Sequence, residues 1–326
     1  MKRKKLNLLL LLFIVVSCLV YAIPENGDLY TLTILHTNDW HGNLNQLSKY
    51  STIIKKVKSE SENVLVVDGG DLFLRGEFEE YQGKVETELL NELGYDYWVP
   101  GNNDFRVPNK FDQTSIEANK QLANIIDNGK FETICANVKF KESGKYLNNT
   151  KPYSIKNING VKVAVIGITS MKPQIRKWNE VSDKIFTNGD EIIQDVILEI
   201  KDKADINIIL SHAGIITDVK MASKFYFNSE VSAVLGADDH FILNEPMHTV
   251  RKDKNNKIKT TPITQAGGEI EHFLGRLDLT YKYEDGKWKL EDFKGKLYNV
   301  TEVEKDKKVE EILNKYRRFK VNKKVA

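Results

Sequence analysis

A layered α/β fold forming one domain is what this sequence predicts, and three observations carry that prediction. Strand-like and helix-like runs alternate through the first two thirds of the chain, whereas the last third changes to hairpins. The strand-like runs end repeatedly in carboxylates, amides and imidazoles. A length of 326 residues suits one large α/β domain or two small ones, and no repeat or low-complexity linker divides it, so one is the simpler count.

The elements follow in order. Residues 30–35 alternate apolar and polar with β-branched content, and Asn38 and Gly42 are turn formers that end this strand. Residues 47–57 carry apolar side chains at helical spacing, and a strand over 63–67 runs into Asp68-Gly69-Gly70-Asp71. An amphipathic helix is expected over 79–93 with Gly94 as its stop, then a short strand over 96–100 before Gly101-Asn102-Asn103-Asp104. Residues 115–126 read as a helix, 153–158 and 161–169 as a hairpin around Asn159-Gly160, and 190–203 as another helix. A strand over 206–210 delivers Ser211-His212-Ala213-Gly214, and one over 231–235 delivers Gly236 to His240. Two hairpins follow, 248–252 with 257–261 around Asn255-Asn256, and 274–283 with 288–293 around Asp285-Gly286, before a charged helix over 302–319.

The amino terminus reads as an export signal over residues 1–22. Lys2 to Lys5 make a positive start, residues 6–16 an apolar run, and Val20-Tyr21-Ala22 a small-residue cleavage site. Val15-Val16-Ser17-Cys18 offers the alternative of a lipoprotein signal ending before Cys18, and an uncleaved anchor is the third option. Export places the mature protein in the periplasm or on the cell surface, touching a membrane only through a lipid on Cys18. Removing four basic and no acidic side chains with the signal turns the net charge from +2 to −2. The body therefore lacks the basic footprint of a protein that binds a nucleic acid polymer. Cys135 is the single remaining thiol; it sits in an apolar stretch and reads as a buried structural cysteine.

Asp39 and His41, one residue apart in an extended segment, point the same way and offer an oxygen and an imidazole to a divalent cation. Asp-x-His alone is a weak signal. Four more strand ends strengthen it: Asp71; Asn102 with Asn103 and Asp104; His212; and Asp238 with His240. Ligands from several strand ends converge only where the carboxyl edges of the strands lie together, an arrangement suited to two cations about 3.5 to 4 Å apart.

The order of these segments resembles the metallophosphoesterase domain of the 5′-nucleotidase family, with Ile34 to Gly42 (ILHTNDWHG), Val66 to Phe73 (VVDGGDLF), Ser211 to Gly214 (SHAG) and Gln265 to Leu279 (QAGGEIEHFLGRLDL) carrying the likeness over roughly residues 29–297. The resemblance implies a four-layer α/β/β/α sandwich of two mixed sheets over residues 28–300, followed by a helix and tail over 301–326. It implies that Asp39, His41 and His240 hold one cation, that Asp71 bridges, and that Asn102 and His212 hold the second with Asp238 in a position where the family has a histidine. The implied cations are manganese, zinc or magnesium, and the carboxylate of Asp238 shifts the preference toward the harder two. The implied activity is hydrolysis of small phosphomonoesters, nucleotides among them, by a hydroxide bridging the cations.

A second departure bears on catalysis. Asn103 stands where the family has a histidine held by the following acid, here Asp104. An amide donates a hydrogen bond but has no titratable proton, so Asn103 with Asp104 is expected to stabilise the leaving side only weakly. Two alternatives stay open: a metal-binding descendant without activity, and a phosphodiesterase of the same superfamily. The family's carboxyl-terminal nucleotide-binding domain is not matched by residues up to Ala326, and nucleotide selectivity is not carried over.

Other residues have plainer readings. His36 alternates away from Asp39 and is expected to be packed; His248 and His272 are expected to be structural or exposed. Asp68 orients the Asp71 loop. Arg75 either reaches a substrate phosphate or pairs with Glu77 or Glu79. Trp40 is core.

Overall fold

In the computed structural model, residues 23–73, 75–107, 113–224, 231–253, 256–271 and 273–325 are described. The expected signal over 1–22 with Cys18, and Asn255 and His272, lie outside them. Two six-stranded sheets form the centre. The first is ordered β14 (Lys287–Leu297), β13 (Gly275–Glu284), β1 (Leu29–Thr37), β2 (Val64–Asp68), β3 (Tyr97–Trp98) and β4 (Glu132–Thr133). In it β1 to β4 run parallel, and β13 lies antiparallel to β1. The second is ordered β11 (Met247–Lys252), β12 (Ile258–Thr264), β10 (Ala233–Leu235), β9 (Ile206–Ser211), β7 (Val161–Ile168) and β6 (Tyr153–Ile158), with β12, β10, β9 and β7 parallel.

Strand alternation sorts side chains into three apolar layers. Leu32 and Ile34 of β1 and Val67 of β2 pack against Val163 and Val165 of β7 and Leu210 of β9, filling the space between the sheets. Their neighbours Leu35, Val66 and Trp98 face outward onto α1 (Leu47–Glu60), α2 (Lys84–Leu93), α3 (Ser115–Asn128) and α6 (Lys307–Val325). On the far side Ala164, Ile166, Ile209 and Val234 face α4 (Gly189–Ile200) and α5 (Ile215–Ala222). The result is the expected α/β/β/α order.

Several boundaries move for identifiable reasons. The run over 79–93 is split, because Gln82 and Gly83 are both left-handed and only the turn at Glu79–Tyr81 precedes them; the helix proper is Lys84–Leu93, closed by left-handed Gly94 as expected. The final helix starts at Lys307, where Asp306 Oδ1 accepts the Lys308 and Val309 N–H groups, so residues 302–306 are outside it. Val309, Leu313 and Tyr316 seat this helix in the outer layer. Asn159 and Gly160 have φ of 49° and 93°, and Asp285 and Gly286 of 53° and 77°, the left-handed pairs that two-residue hairpins require. A small sheet of β5 (Val138–Phe140) and β8 (Lys184–Phe186), and the helix α5, have no counterpart in the sequence reading. Among the described residues no helix is long and apolar enough to cross a membrane.

Candidate metal centre

β1, β2 and β3 of one sheet and β9 and β10 of the other end on the same edge of the sandwich. Their loops carry Asp39 and His41, Asp71, Asn102, His212, and Asp238 with His240. Backbone bonding continues past the sheet: the N–H groups of Asp39, His41 and Gly42 donate to the carbonyls of Gly70, Asp71 and Leu72 at 2.8, 2.9 and 3.0 Å. The loops are thereby locked as a pair. β1 ends at Thr37, and Asp39 and His41 lie past it in left-handed conformations rather than in the extended segment expected; with Asp71, Asp238 and His240 they all have left-handed φ, from 47° to 80°. That conformation is uncommon outside glycine, and its concentration here marks backbone strain held by the surrounding packing. Gly101 is needed for space: a Cβ would lie 2.3 Å from Asp71 Oδ1 and 2.6 Å from His212 Cε1.

Two ligand groups form. Asp39, His41 and His240 make one, and Asp39, Asp71 and His212 the other. His41 Nε2 and His240 Nε2 face each other at 3.4 Å, and Asp39 Oδ1 is 3.3 Å from His240 Nε2. Atoms each about 2 Å from one ion at a tetrahedral angle lie about 3.3 Å apart, so the spacing fits a shared cation. His212 Nε2 stands 3.4 Å from Asp71 Oδ2 and 3.8 Å from both Asp39 Oδ1 and Asp238 Oδ1. Asp71 Oδ2 is also 3.7 Å from His41 Nε2, which leaves it between the two histidine sets.

The hydrogen bonds leave the right atoms free. Asp39 Oδ2 accepts from Asn38 Nδ2 at 2.8 Å and from the Asp238 N–H at 2.9 Å, whereas Oδ1 is buried with no hydrogen-bond partner. His212 Nδ1 lies 2.6 Å from the Gly69 carbonyl, which selects the tautomer protonated there; its Nε2 is the bare nitrogen and is likewise buried without a partner. Orphaned acceptors are costly unless something satisfies them, and a divalent cation does. The residues present therefore fit a metal. The pocket is strongly negative: burial disfavours a charged His212, yet the Asp71 and Asp39 carboxylates outweigh it and raise its pKa well above the usual value, so Nε2 draws a proton wherever no cation takes that place. Burial holds His41 below its usual value.

Neighbouring residues differ from expectation. Asn103 does not stand free: its N–H and side-chain amide donate to Asp71 Oδ1 and Oδ2 at 2.7 and 2.6 Å. In its hydrogen-bonding orientation the Asn102 amide donates to Asp238 Oδ1 at 3.0 Å and accepts from Asn103. Asp104, expected on the leaving side with Asn103, is fully buried and accepts four backbone N–H groups, those of Asp71, Leu72, Phe73 and Gly101, at 2.7 to 3.2 Å. It organises the Asp71 and Asn102 loops. Arg75 pairs with Glu269 at 2.9 Å rather than with Glu77 or Glu79, because Arg317 of α6 engages Glu77. Asp68 accepts from the Thr37 hydroxyl and the Gly70 N–H, an orienting role as expected.

His36 is buried and neutral, its pKa pushed down to about 4 by burial, with its ring against Gly275. Trp40 is core, edge-on to Tyr95, and Cys135 is buried. His248 is exposed beside Phe293. Sequence reasoning missed Lys172, whose Nζ lies 2.7 Å from Asp238 Oδ2. It follows β7, a sixth strand end on the same edge, and the rule that found the other five applies to it.

Comparison with known proteins meets this geometry. A 5′-nucleotidase of Vibrio cholerae is 28% identical over 88% of this chain and 54% of its own length. A metallophosphoesterase of Bacillus subtilis, YunD, is 32% identical over 76% of this chain and 50% of that protein. The chain thus spans about half the length of these relatives. In structure, a 5′-nucleotidase precursor from Thermus thermophilus superimposes with a TM-score of 0.73 at 22% identity, over 90% of this chain and 59% of that one. The phosphoesterase YfkN of Bacillus subtilis gives 0.69 at 23%, over 89% and 98%. These two establish the shared fold. Residues 32–241, which run from the core of β1 past His240 and so enclose every ligand-type residue of the centre, match the calcineurin-like phosphoesterase family, to which the chain belongs.

Proposed function

We propose that the protein is an exported hydrolase of small phosphomonoesters, nucleotides among them, working with two divalent cations. The observation that carries this is the convergence of ligand-type side chains from four strand ends around Asp39 Oδ1 and His212 Nε2, both buried and without a hydrogen-bond partner. Asp39, His41 and His240 would hold one cation; His212 and Asp238 would hold the other, joined by Asn102 once its amide turns its oxygen from Asn103 toward the ion; Asp71 would serve both. When bound, such a pair supplies Lewis acidity and an activated water for in-line displacement at phosphorus. With three carboxylates among the ligands, manganese or magnesium suits the site better than zinc.

The chain's own residues set the geometry around that chemistry. Asn38 and the Asp238 N–H fix the rotation of Asp39, Gly69 fixes His212, and Asp104 fixes the loop of Asp71. His212 first, then His41, outweigh burial and hold the Asp71 pKa below the usual range, and Asn103 adds to this with its two N–H groups. It brings no acid proton for a leaving oxygen. Esters with good leaving groups are therefore the favoured substrates. Arg75, tied to Glu269, reaches a phosphate only by exchanging that partner.

The test is phosphate release from p-nitrophenyl phosphate, AMP and a cyclic nucleotide by purified protein with added Mn²⁺. Turnover on the monoesters is expected, with Asp71→Ala abolishing it while the fold, followed by circular dichroism, persists. No metal-dependent release from any ester would refute the reading. It would favour the second one, a metal-binding protein without turnover, which Asn103 and Asp238 motivate. Preference for the cyclic nucleotide would identify a phosphodiesterase.

A further inference from the structure

Lys172 follows β7, a strand that supplies none of the ligand-type residues, yet its ammonium contacts Asp238 Oδ2 at 2.7 Å. The other oxygen of Asp238 faces inward, 3.8 Å from His212 Nε2 and 3.0 Å from the Asn102 amide. The Asp238 side chain is 4% exposed and that of Lys172 40%, so the ammonium closes the outer side of a buried carboxylate while remaining in contact with solvent. Lys172 is also within electrostatic reach of Asp71 and Asp239. Asp239 is engaged by the Ile215 N–H at the start of α5, and the cation of Arg75 is committed to Glu269.

We propose that Lys172 and Asp238 act as one charge-neutral unit, in which the lysine cancels the charge that a carboxylate brings to a ligand position and restores the site's attraction for a dianionic phosphate. This rests on the two-cation phosphoester reading. Three carboxylates, Asp39, Asp71 and Asp238, against two divalent cations leave a single positive charge. The Lys172 ammonium doubles it, matching a phosphate dianion. The same charge repels the cations, so it weakens their binding while strengthening that of the anion. A mechanical strut for Asp238 would support both. Lys172 is in these terms a positioning and charge-balancing residue.

The experiment is isothermal titration calorimetry on the full chain, first of metal-stripped protein with Mn²⁺ and then of Mn²⁺-loaded protein with inorganic phosphate. It is run on the wild type, Lys172→Met, Asp238→His and the double variant, with thermal midpoints as a check on folding. Lys172→Met is expected to bind Mn²⁺ roughly threefold to tenfold more tightly and phosphate roughly tenfold more weakly, discounted for the partial exposure of the lysine. Adding Asp238→His to that variant is expected to return phosphate affinity to within about threefold of the wild type, since a neutral ligand needs no compensating charge. Loss of both affinities makes Lys172 a structural prop and overturns the proposal. Unchanged affinities overturn it as well, as does a wild type that binds neither ion. Turnover of p-nitrophenyl phosphate by the same wild-type sample separates the two readings. Opposed shifts without turnover leave the charge pairing standing and sink the hydrolase; turnover with unchanged affinities does the reverse.

Discussion

Replacing Asp104 by Asn probes the part of the site that touches no ligand atom. Asp104 Oδ2 accepts the N–H groups of Asp71 and Gly101 at 2.8 and 2.7 Å, and Oδ1 those of Leu72 and Phe73 at 3.1 and 3.2 Å. Burial and the nearby Asp71 carboxylate push its pKa up, and the N–H groups of Gly101 and Phe73 oppose that by favouring the ionised, all-acceptor form. An asparagine keeps one oxygen and turns an NH₂ group toward the other two N–H groups, leaving them unsatisfied in a fully buried setting. At about 1–3 kcal/mol for each of the two orphaned donors, Asp104→Asn is expected to lose about 2–6 kcal/mol. Urea unfolding reads this as a lower midpoint at constant slope. The orphaned pair is either the N–H groups of Asp71 and Gly101 or those of Leu72 and Phe73, all in the loops that seat Asp71, so a displaced Asp71 carboxylate is also expected to cut monoester turnover on the order of 10²-fold. A loss under about 1 kcal/mol with undiminished Mn²⁺ binding would refute the assignment of Asp104 as organiser of the loops.

Asn103→His supplies the missing titratable group, so kcat should rise about 10²-fold for AMP and much less for p-nitrophenyl phosphate, whose leaving group needs no proton; an equal rise for both esters contradicts the argument. Gly101→Ala drives a Cβ to 2.3 Å from Asp71 Oδ1, and the protein should lose bound Mn²⁺ by elemental analysis after gel filtration; full retention would show that the loop relaxes freely. Glu86 of α2 lies far from this chemistry, buried with Oε2 unpartnered, and burial raises its pKa from 4.5 to about 7. A raised folded-state pKa gives stability that is complete below the unfolded value and lost as pH climbs through the folded one. Glu86→Gln should therefore stabilise the protein by about 2–4 kcal/mol at pH 8 and by little at pH 5, as read by thermal unfolding at both.

What the sequence made legible follows from how each element is buried. β7 and β9 are buried on both faces over most of their length and stood out as apolar runs, β1 stood out by its alternation, and the polar residues just past them marked the edge that holds the site. Gly94 stopped its helix as read, whereas nothing in Gln82 announces a left-handed residue, and the start of α2 was placed too early. The three-residue strands β5 and β8 are too short to show a period. At the site, the ligand-type residues were readable because each follows a strand. The partners of Asp104 were not, since three of its four donors lie more than thirty residues away along the chain. Nor did any local pattern foretell that Asp39, His41, Asp71, Asp238 and His240 would all be left-handed, a demand made by the packed loops around them.

Each candidate cation position draws on both sheets. Asp39 and His41 from β1 meet His240 from β10, and Asp71 and Asn102 from the first sheet meet His212 and Asp238 from the second. A bound ion would thus act as a rivet through the seam of the sandwich, and the thickness of the apolar layer beneath it would set the gauge of the hole. Val67, Val165 and Leu210, which never approach a substrate, then belong to the metal selectivity of the protein as much as the residues that face the ion.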